Sequence, residues 1–165
     1  MKKLFAMALA LAMTVSLAVD AGAYHANNQD DDNRVVWVQD GLVFEMTEAD
    51  EYAAISPRDK VLFEGYCVNK TTYKTYGNCV AGEGDSINVY FDNSQGGGDI
   101  YPVYTLDGVV TSTSNLKVEK GRQYTVRISY QDGREMDGRL DVQVNTRDGH
   151  LMNFFIRARQ FQYVP

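Results

Sequence analysis

Short runs rich in Val, Ile, Tyr, Phe and Thr recur along the chain after residue 34. Alternation is clearest over 122–130, 138–146 and 151–161, where Phe155 is the one apolar residue on the polar side. A period of two with one apolar face is typical of antiparallel strands packed on a core. We therefore predict three hairpin-linked strands from 122 to 161. Their predicted buried residues are Tyr124, Val126, Ile128, Leu140, Val142, Val144, Phe154 and Ile156.

Asp-Gly pairs separate many of the runs and mark tight turns, since both residue types tolerate positive φ. They occur at 40–41, 107–108, 132–133 and 148–149, and the first and last are the strongest hairpin signals. One helical candidate, Thr47 to Ile55, has a capping-box pattern and a following proline. The whole pattern predicts an all-β fold, an antiparallel two-sheet sandwich of immunoglobulin-like or jelly-roll-like layout.

The N-terminal segment 1–23 predicts export of a bacterial type. Two lysines precede an apolar run that is too short to cross a bilayer, and small residues lead up to Ala23. We predict a cleaved signal peptide over 1–23, a flexible acidic leader over 24–33 and a single domain over 34–165. The leader is rich in Asn, Gln and Asp and has little apolar surface to bury. We expect a secreted protein without membrane insertion after cleavage.

The charge balance narrows the expected partners. The chain has 16 basic and 22 acidic residues, and loss of Lys2, Lys3 and Asp20 with the signal peptide leaves a net charge near −7. An acidic surface repels phosphate backbones and anionic lipids. We therefore expect no nucleic-acid partner, and an extracellular glycan or protein remains as the expected ligand.

Cys67 and Cys79 are the two cysteines of the chain. In an oxidising compartment two such thiols pair by default, because no third thiol competes. We predict a disulfide between them. A closed loop of this length would contribute on the order of 3 kcal/mol through chain entropy.

The segment between the cysteines combines tyrosines with lysines on an otherwise acidic protein. Rigid tyrosines beside hydrogen-bonding groups suit recognition, because they present a large contact area at little entropic cost. We predict a binding site here, formed by Lys70, Tyr73, Lys74 and Tyr76. The alternative is a hairpin whose tyrosines pack on its own sheet.

Catalytic signals are weak by comparison. Gly84-Asp85-Ser86-Ile87 resembles the nucleophile block of GDSL-type esterases, in which a later Asp-x-x-His supplies the base. Here Asp148-Gly149-His150 is one residue too short, and we interpret 84–87 as a turn followed by a strand. Carboxylate pairs for glycoside hydrolysis could be drawn from Asp132, Glu135, Asp137 and Asp141.

The segment from Asp92 to Asp99 offers oxygen ligands around three glycines, as a calcium loop would, but it lacks the spacing of an EF-hand. We predict a plain strand connection there, without a metal or other cofactor. Taken together, the sequence favours a secreted, non-catalytic binding or surface-associated module. The alternatives are a small secreted hydrolase that uses carboxylates and an inhibitor or accessory protein of a secreted enzyme.

Overall fold

The computed structural model describes residues 24–25, 34–48, 58–111 and 116–162. All regular structure in these ranges is β. The strands are β1 (Tyr24–His25), β2 (Arg34–Gln39), β3 (Leu42–Glu48), β4 (Lys60–Lys70), β5 (Thr72–Cys79), β6 (Ser86–Asp92), β7 (Tyr101–Leu106), β8 (Val109–Thr111), β9 (Gln123–Tyr130), β10 (Gly138–Asn145) and β11 (Met152–Phe161). Of the helical candidate, Thr47 and Glu48 belong to β3, and the residues from 49 to 55 lie outside the described ranges.

The strands form two antiparallel sheets that pack against each other. The larger sheet has the order β1-β2-β3-β9-β6-β11-β4, and the smaller has the order β5-β10-β7-β8. The all-β, two-sheet antiparallel prediction is therefore confirmed. β4 and β5 are consecutive in the chain and occupy edges of different sheets, so the chain changes sheet at Thr71.

Two of the Asp-Gly pairs close hairpins. At Asp40-Gly41 the φ angles are 51° and 77°, and at Asp107-Gly108 they are 48° and 82°. Two consecutive positive φ values are what a type I′ turn requires, and its twist matches that of the strands it joins. The first turn connects β2 to β3 in the larger sheet, and the second connects β7 to β8 in the smaller sheet.

The predicted C-terminal meander is wrong in its pairing. β9 and β11 belong to the larger sheet and β10 to the smaller one, so the turn at 148–149 crosses between sheets instead of closing a hairpin. The burial prediction for these strands is nevertheless confirmed for all eight residues except Tyr124, which is half-buried. Alternation reports which side of a strand faces the core, and both sheets of a sandwich face the same core.

Aromatic rings fill the space between the sheets. The Trp37 and Phe44 rings stack with centroids 5.1 Å apart, and Phe44 lies 5.8 Å from the Tyr104 ring of the opposite sheet. At another place in the core, the Phe154 ring lies 6.4 Å from Phe91. Inward positions of β3, β6, β9 and β11 oppose those of β7 and β10, which explains the alternating burial of these strands.

The predicted leader is partly structured. Tyr24 and His25 form β1, which pairs with Trp37 and Val38 of β2. Pairing with an open sheet edge uses backbone groups and does not need apolar side chains, and the flexible leader over 24–33 stays a prediction. The signal peptide over 1–23 and the rest of the leader lie outside the described residues. No helix in the described part of the chain is long and apolar enough to cross a membrane.

Candidate binding face on the smaller sheet

The predicted disulfide is not present in the structure, where Cys67 and Cys79 are buried free thiols. Cys67 lies opposite Phe154 in the larger sheet, and Cys79 lies opposite Gly138 in the smaller one. One close contact shows how β4 and β5 are aligned. A Cβ built on Gly77 of β5 would lie 2.7 Å from the Cβ of Leu62 in β4.

This contact places Cys79 near the level of Lys60, the first residue of β4. Seven residues of extended chain, about 23 Å, separate that level from Cys67. A disulfide needs Cα atoms within about 7 Å. Sequence spacing allowed the bond, but Cys67 lies four residues before the chain reversal at Thr71 and Cys79 lies eight residues after it, so the two thiols end at different levels of the sandwich.

Both thiols have low reactivity in the folded protein. Burial, with smaller contributions from the carboxylates of Asp107 and Asp137, raises the pKa of Cys79 to about 11. Burial also raises the pKa of Cys67. The thiolate is the reactive form, so a raised pKa and lack of access both slow alkylation.

Alkylation of the protein as isolated, without reductant, tests this assignment. At pH 8 we expect iodoacetamide to leave the native protein unmodified and to add two groups after unfolding in guanidinium chloride, as measured by intact mass. The raised pKa keeps both thiols protonated at this pH in the folded state, and unfolding restores access and the ordinary pKa. A protein that takes up no label after unfolding would contain the disulfide and contradict the free-thiol assignment.

The four predicted binding residues do not all share one face. Tyr76 is 58% exposed and Lys74 is also exposed, both at outward positions of β5. Tyr73 is half-buried, and its ring meets Phe154 edge-on at 5.5 Å. The Lys70 ammonium lies 5.9 Å from the Tyr73 ring centroid. The segment is also regular strand, not a projecting loop.

The outward residues of β5 continue across the smaller sheet. Residues directly opposite in a β ladder point to the same side, and Tyr76 pairs with Asp141 while Lys74 pairs with Gln143. Asn145 of β10 pairs in turn with Tyr101 of β7. We call this surface the small-sheet face. It comprises Lys74, Tyr76, Tyr101, Arg139, Asp141, Gln143 and Asn145, with Arg147 just after β10.

An arginine guanidinium lies over the ring of each tyrosine of the small-sheet face. Arg139 lies 4.1 Å from the Tyr76 ring centroid, and Arg147 lies 4.0 Å from that of Tyr101. Arg139 is oriented by Asp141, whose carboxylate accepts bonds of 2.9 Å and 3.0 Å from its Nε. This hydrogen bonding raises the pKa of Arg139 further. The Arg139 guanidinium therefore stays charged, and both guanidinium carbons lie over a tyrosine ring.

Lys74 is the least compensated cation of the small-sheet face. Its ammonium forms no ion pair with any residue that the structure describes, whereas Arg139 pairs with Asp141. Across β10 its neighbour is the uncharged Gln143, whose Nε2 donates to Asn145 Oδ1 at 2.9 Å. The face therefore combines aromatic rings, amide groups and excess positive charge.

Sequence reasoning identified Lys74 and Tyr76 but missed the residues that complete the face. The alternation of β10 marks Asp141, Gln143 and Asn145 as outward, and that signal was present in the sequence. Their adjacency to β5 was not, because strand order depends on contacts between distant parts of the chain. Tyr101 is joined to the face only through β10.

The glycine-rich segment 92–99 serves as a clamped connection. The fully buried Asn93 donates through Nδ2 to the carbonyls of Gly98, Val118 and Glu119. Asp99 accepts the Lys120 N–H at 3.0 Å, and this bond, with the Lys117 ammonium, lowers the pKa of Asp99. No cluster of three or more His, Cys, Asp or Glu suited to a metal ion occurs in the described ranges.

The residues considered for catalysis lie apart or are engaged locally. Ser86 pairs with Phe161 at the end of β11, whereas His150 precedes the first residue of that strand. Nine residues of strand, about 30 Å, separate these ends, so Ser86 and His150 cannot act as nucleophile and base. The four candidate carboxylates contact nearby groups: Asp132 with Arg134, Glu135 with the Gly82 N–H, Asp137 with the Gly138 N–H and Asp141 with Arg139.

Comparison of the chain with known proteins identified no relative. No protein-family model matches it, and no curated protein or solved structure gives a significant match.

Proposed function

We propose that the mature protein is a secreted, non-catalytic β-sandwich that binds an extracellular glycan or protein through the small-sheet face. The observation that carries this proposal is the exposed Tyr76, stacked with Arg139 and next to the uncompensated Lys74. Export is supported by the signal-peptide pattern over 1–23.

The location of these side chains on regular strands supports a binding role. A residue held by a β ladder on both sides loses little further freedom when a ligand arrives, so more of its contact energy appears as affinity. β10 is such a strand, since it pairs with both β5 and β7, whereas β5 is an edge strand that pairs with β10 alone. The backbone of the small-sheet face is thus preorganised along β10.

A glycan array screened with the wild type and with a Lys74→Ala, Tyr76→Ala double variant tests the proposal. We expect the double variant to lose at least tenfold in affinity, because truncating an aromatic anchor and removing its neighbouring charge each weaken a contact. Isothermal titration calorimetry with the glycan that binds best on the array measures the loss of affinity.

The matched control is Tyr66→Ala. Tyr66 is 74% exposed on β4 of the larger sheet, so its truncation removes similar aromatic area from the other face of the sandwich. Unchanged binding by the double variant, or equal loss with Tyr66→Ala, would place the ligand elsewhere. Absence of binding to every glycan would favour a protein partner at the same face.

A further inference from the structure

We infer that the ligand of the small-sheet face is an extended glycan chain carrying carboxylate groups. This inference rests on the proposed function and names the ligand class of that same site. It follows from the charge of the face, the hydrogen-bonding groups at its centre and the separation of its two tyrosines.

The charge of the face is opposite to that of the protein. Lys74, Arg139 and Arg147 stand against two carboxylates, that of Asp141, which pairs with Arg139, and that of Asp107, which accepts the Arg139 N–H at the edge of the face, on a chain whose isoelectric point is about 4.8. At physiological salt, charges are screened beyond about 8 Å. Local cations therefore dominate over the distant acidic residues for a ligand lying on this face, and an anionic ligand is favoured there.

The centre of the face suits hydroxyl groups. The bond from Gln143 Nε2 to Asn145 Oδ1 orients the two amides side by side. It leaves the Gln143 oxygen as an acceptor and the Asn145 nitrogen as a donor for other groups. A sugar hydroxyl both donates and accepts, so it can satisfy an adjacent acceptor and donor together.

The same composition argues against a protein partner. The buried centre of a protein–protein interface is depleted of charge and enriched in apolar side chains. Here the centre consists of Lys74, Gln143 and Asn145 together with one aliphatic residue, Val103 opposite Gln143, and the aromatic rings lie only at its two ends. Covering this centre with protein would leave the lysine and amides to be desolvated, whereas a hydrated sugar acid supplies partners for them.

The separation of the tyrosines indicates a ligand with length. Tyr76 and Tyr101 are two strands apart, and their partners Asp141 and Asn145 are four residues apart along β10. With ordinary strand spacings, their Cα atoms lie about 16 Å from each other. A monosaccharide cannot reach both Tyr–Arg pairs, whereas an extended oligosaccharide can lie across the amides and contact both.

Titration calorimetry with three oligogalacturonide preparations tests the inference. We expect the hexamer of galacturonic acid to bind, its fully methyl-esterified form to bind at least tenfold more weakly, and the dimer to bind at least tenfold more weakly. Esterification removes the charges while leaving the chain and hydroxyls in place. Raising the salt from low to physiological concentration is expected to weaken hexamer binding several-fold.

Lys74→Gln is the informative variant, with Lys120→Gln as its control. Both replace an exposed lysine and change the net charge equally, but Lys120 lies in the turn before β9, where its N–H bonds Asp99, and it is not one of the residues of the small-sheet face. We expect about a tenfold loss of hexamer affinity for Lys74→Gln and no change for Lys120→Gln.

Other outcomes separate the inference from the function on which it rests. Equal binding of the acid and its methyl ester, sensitive to Tyr76→Ala, would overturn the carboxylate assignment and keep the glycan function. Tighter binding of a sulfated chain of equal length would also overturn it. If no glycan binds but a protein ligand requires Tyr76, the glycan class is wrong, and if no ligand depends on Tyr76 the proposed function itself fails.

Discussion

A Gln160→Met variant is expected to lose about 4 kcal/mol of unfolding free energy. Gln160 is fully buried at the end of β11, where its side-chain amide binds two loop segments. Its Oε1 accepts the Val80 N–H at 2.9 Å. Its Nε2 lies within hydrogen-bonding distance of three carbonyls, those of Val80, Gly84 and Met136, at 2.9, 3.0 and 2.8 Å.

The size of this effect follows from what the substitution leaves behind. Methionine fills a similar volume but supplies no donor and only a weak acceptor. Each buried backbone group that loses its partner costs about 1–3 kcal/mol, and Gln160 serves one N–H and several carbonyls. The expected loss is a large part of the 5–15 kcal/mol that stabilises a typical domain.

Urea unfolding followed by tryptophan fluorescence measures the effect, with Gln162→Met as the matched control. Gln162 is exposed two residues further along, and its amide donates to Asp85 at 2.8 Å. A surface change of this kind is expected to cost less than about 0.5 kcal/mol. Equal losses in the two variants would show that the buried amide does not hold the 80–84 and 136 segments.

A Phe154→Ala variant is expected to lose about 4 kcal/mol through the cavity that it creates. Phe154 is buried on the inward side of β11, opposite Cys67 of β4. Its ring lies 5.5 Å from Tyr73 and 6.4 Å from Phe91, so truncation removes contacts with both sheets. A close-packed core relaxes only partly around such a gap.

Phe155→Ala provides the comparison within the same strand. Phe155 is half-buried on the outward side of β11, where its ring contacts Tyr66 at 4.9 Å and Tyr90 at 6.3 Å. Urea unfolding is expected to show a loss for Phe155→Ala less than half of that for Phe154→Ala, because solvent can refill the space left on an outer face. If the two losses are equal, the assignment of inward and outward sides of β11 is wrong.

Strand positions and facing could be predicted from local sequence. The runs at 86–91 and 138–146 match β6 and β10 to within one residue at each end. The inward residues of β10 and β11 were also identified correctly. These features depend on the two-residue period of an extended chain and on apolar side chains leaving water, both of which act within a single strand.

The placement of Tyr73 and Tyr76 shows what local sequence could not predict about the candidate site. Alternation along β5 places Tyr73 and Tyr76 on opposite sides of the strand. The prediction nevertheless assigned both to one binding site, because the expected disulfide would have closed a loop around them. The residues that join Tyr76 on the small-sheet face come from β7 and β10, which follow it by 25 or more positions. Local patterns carry no information about such neighbours.

The sequence by itself determined that this protein is all-β, where most of its strands lie and which side of the last three strands faces the core. Only the tertiary structure decided which strands pair, that Cys67 and Cys79 lie apart, and that Lys74, Tyr76, Gln143 and Tyr101 share one face. The physical reason is that burial is settled residue by residue through contact with water. Pairing depends on how all strands together fill one core, and several strand orders satisfy the same alternation.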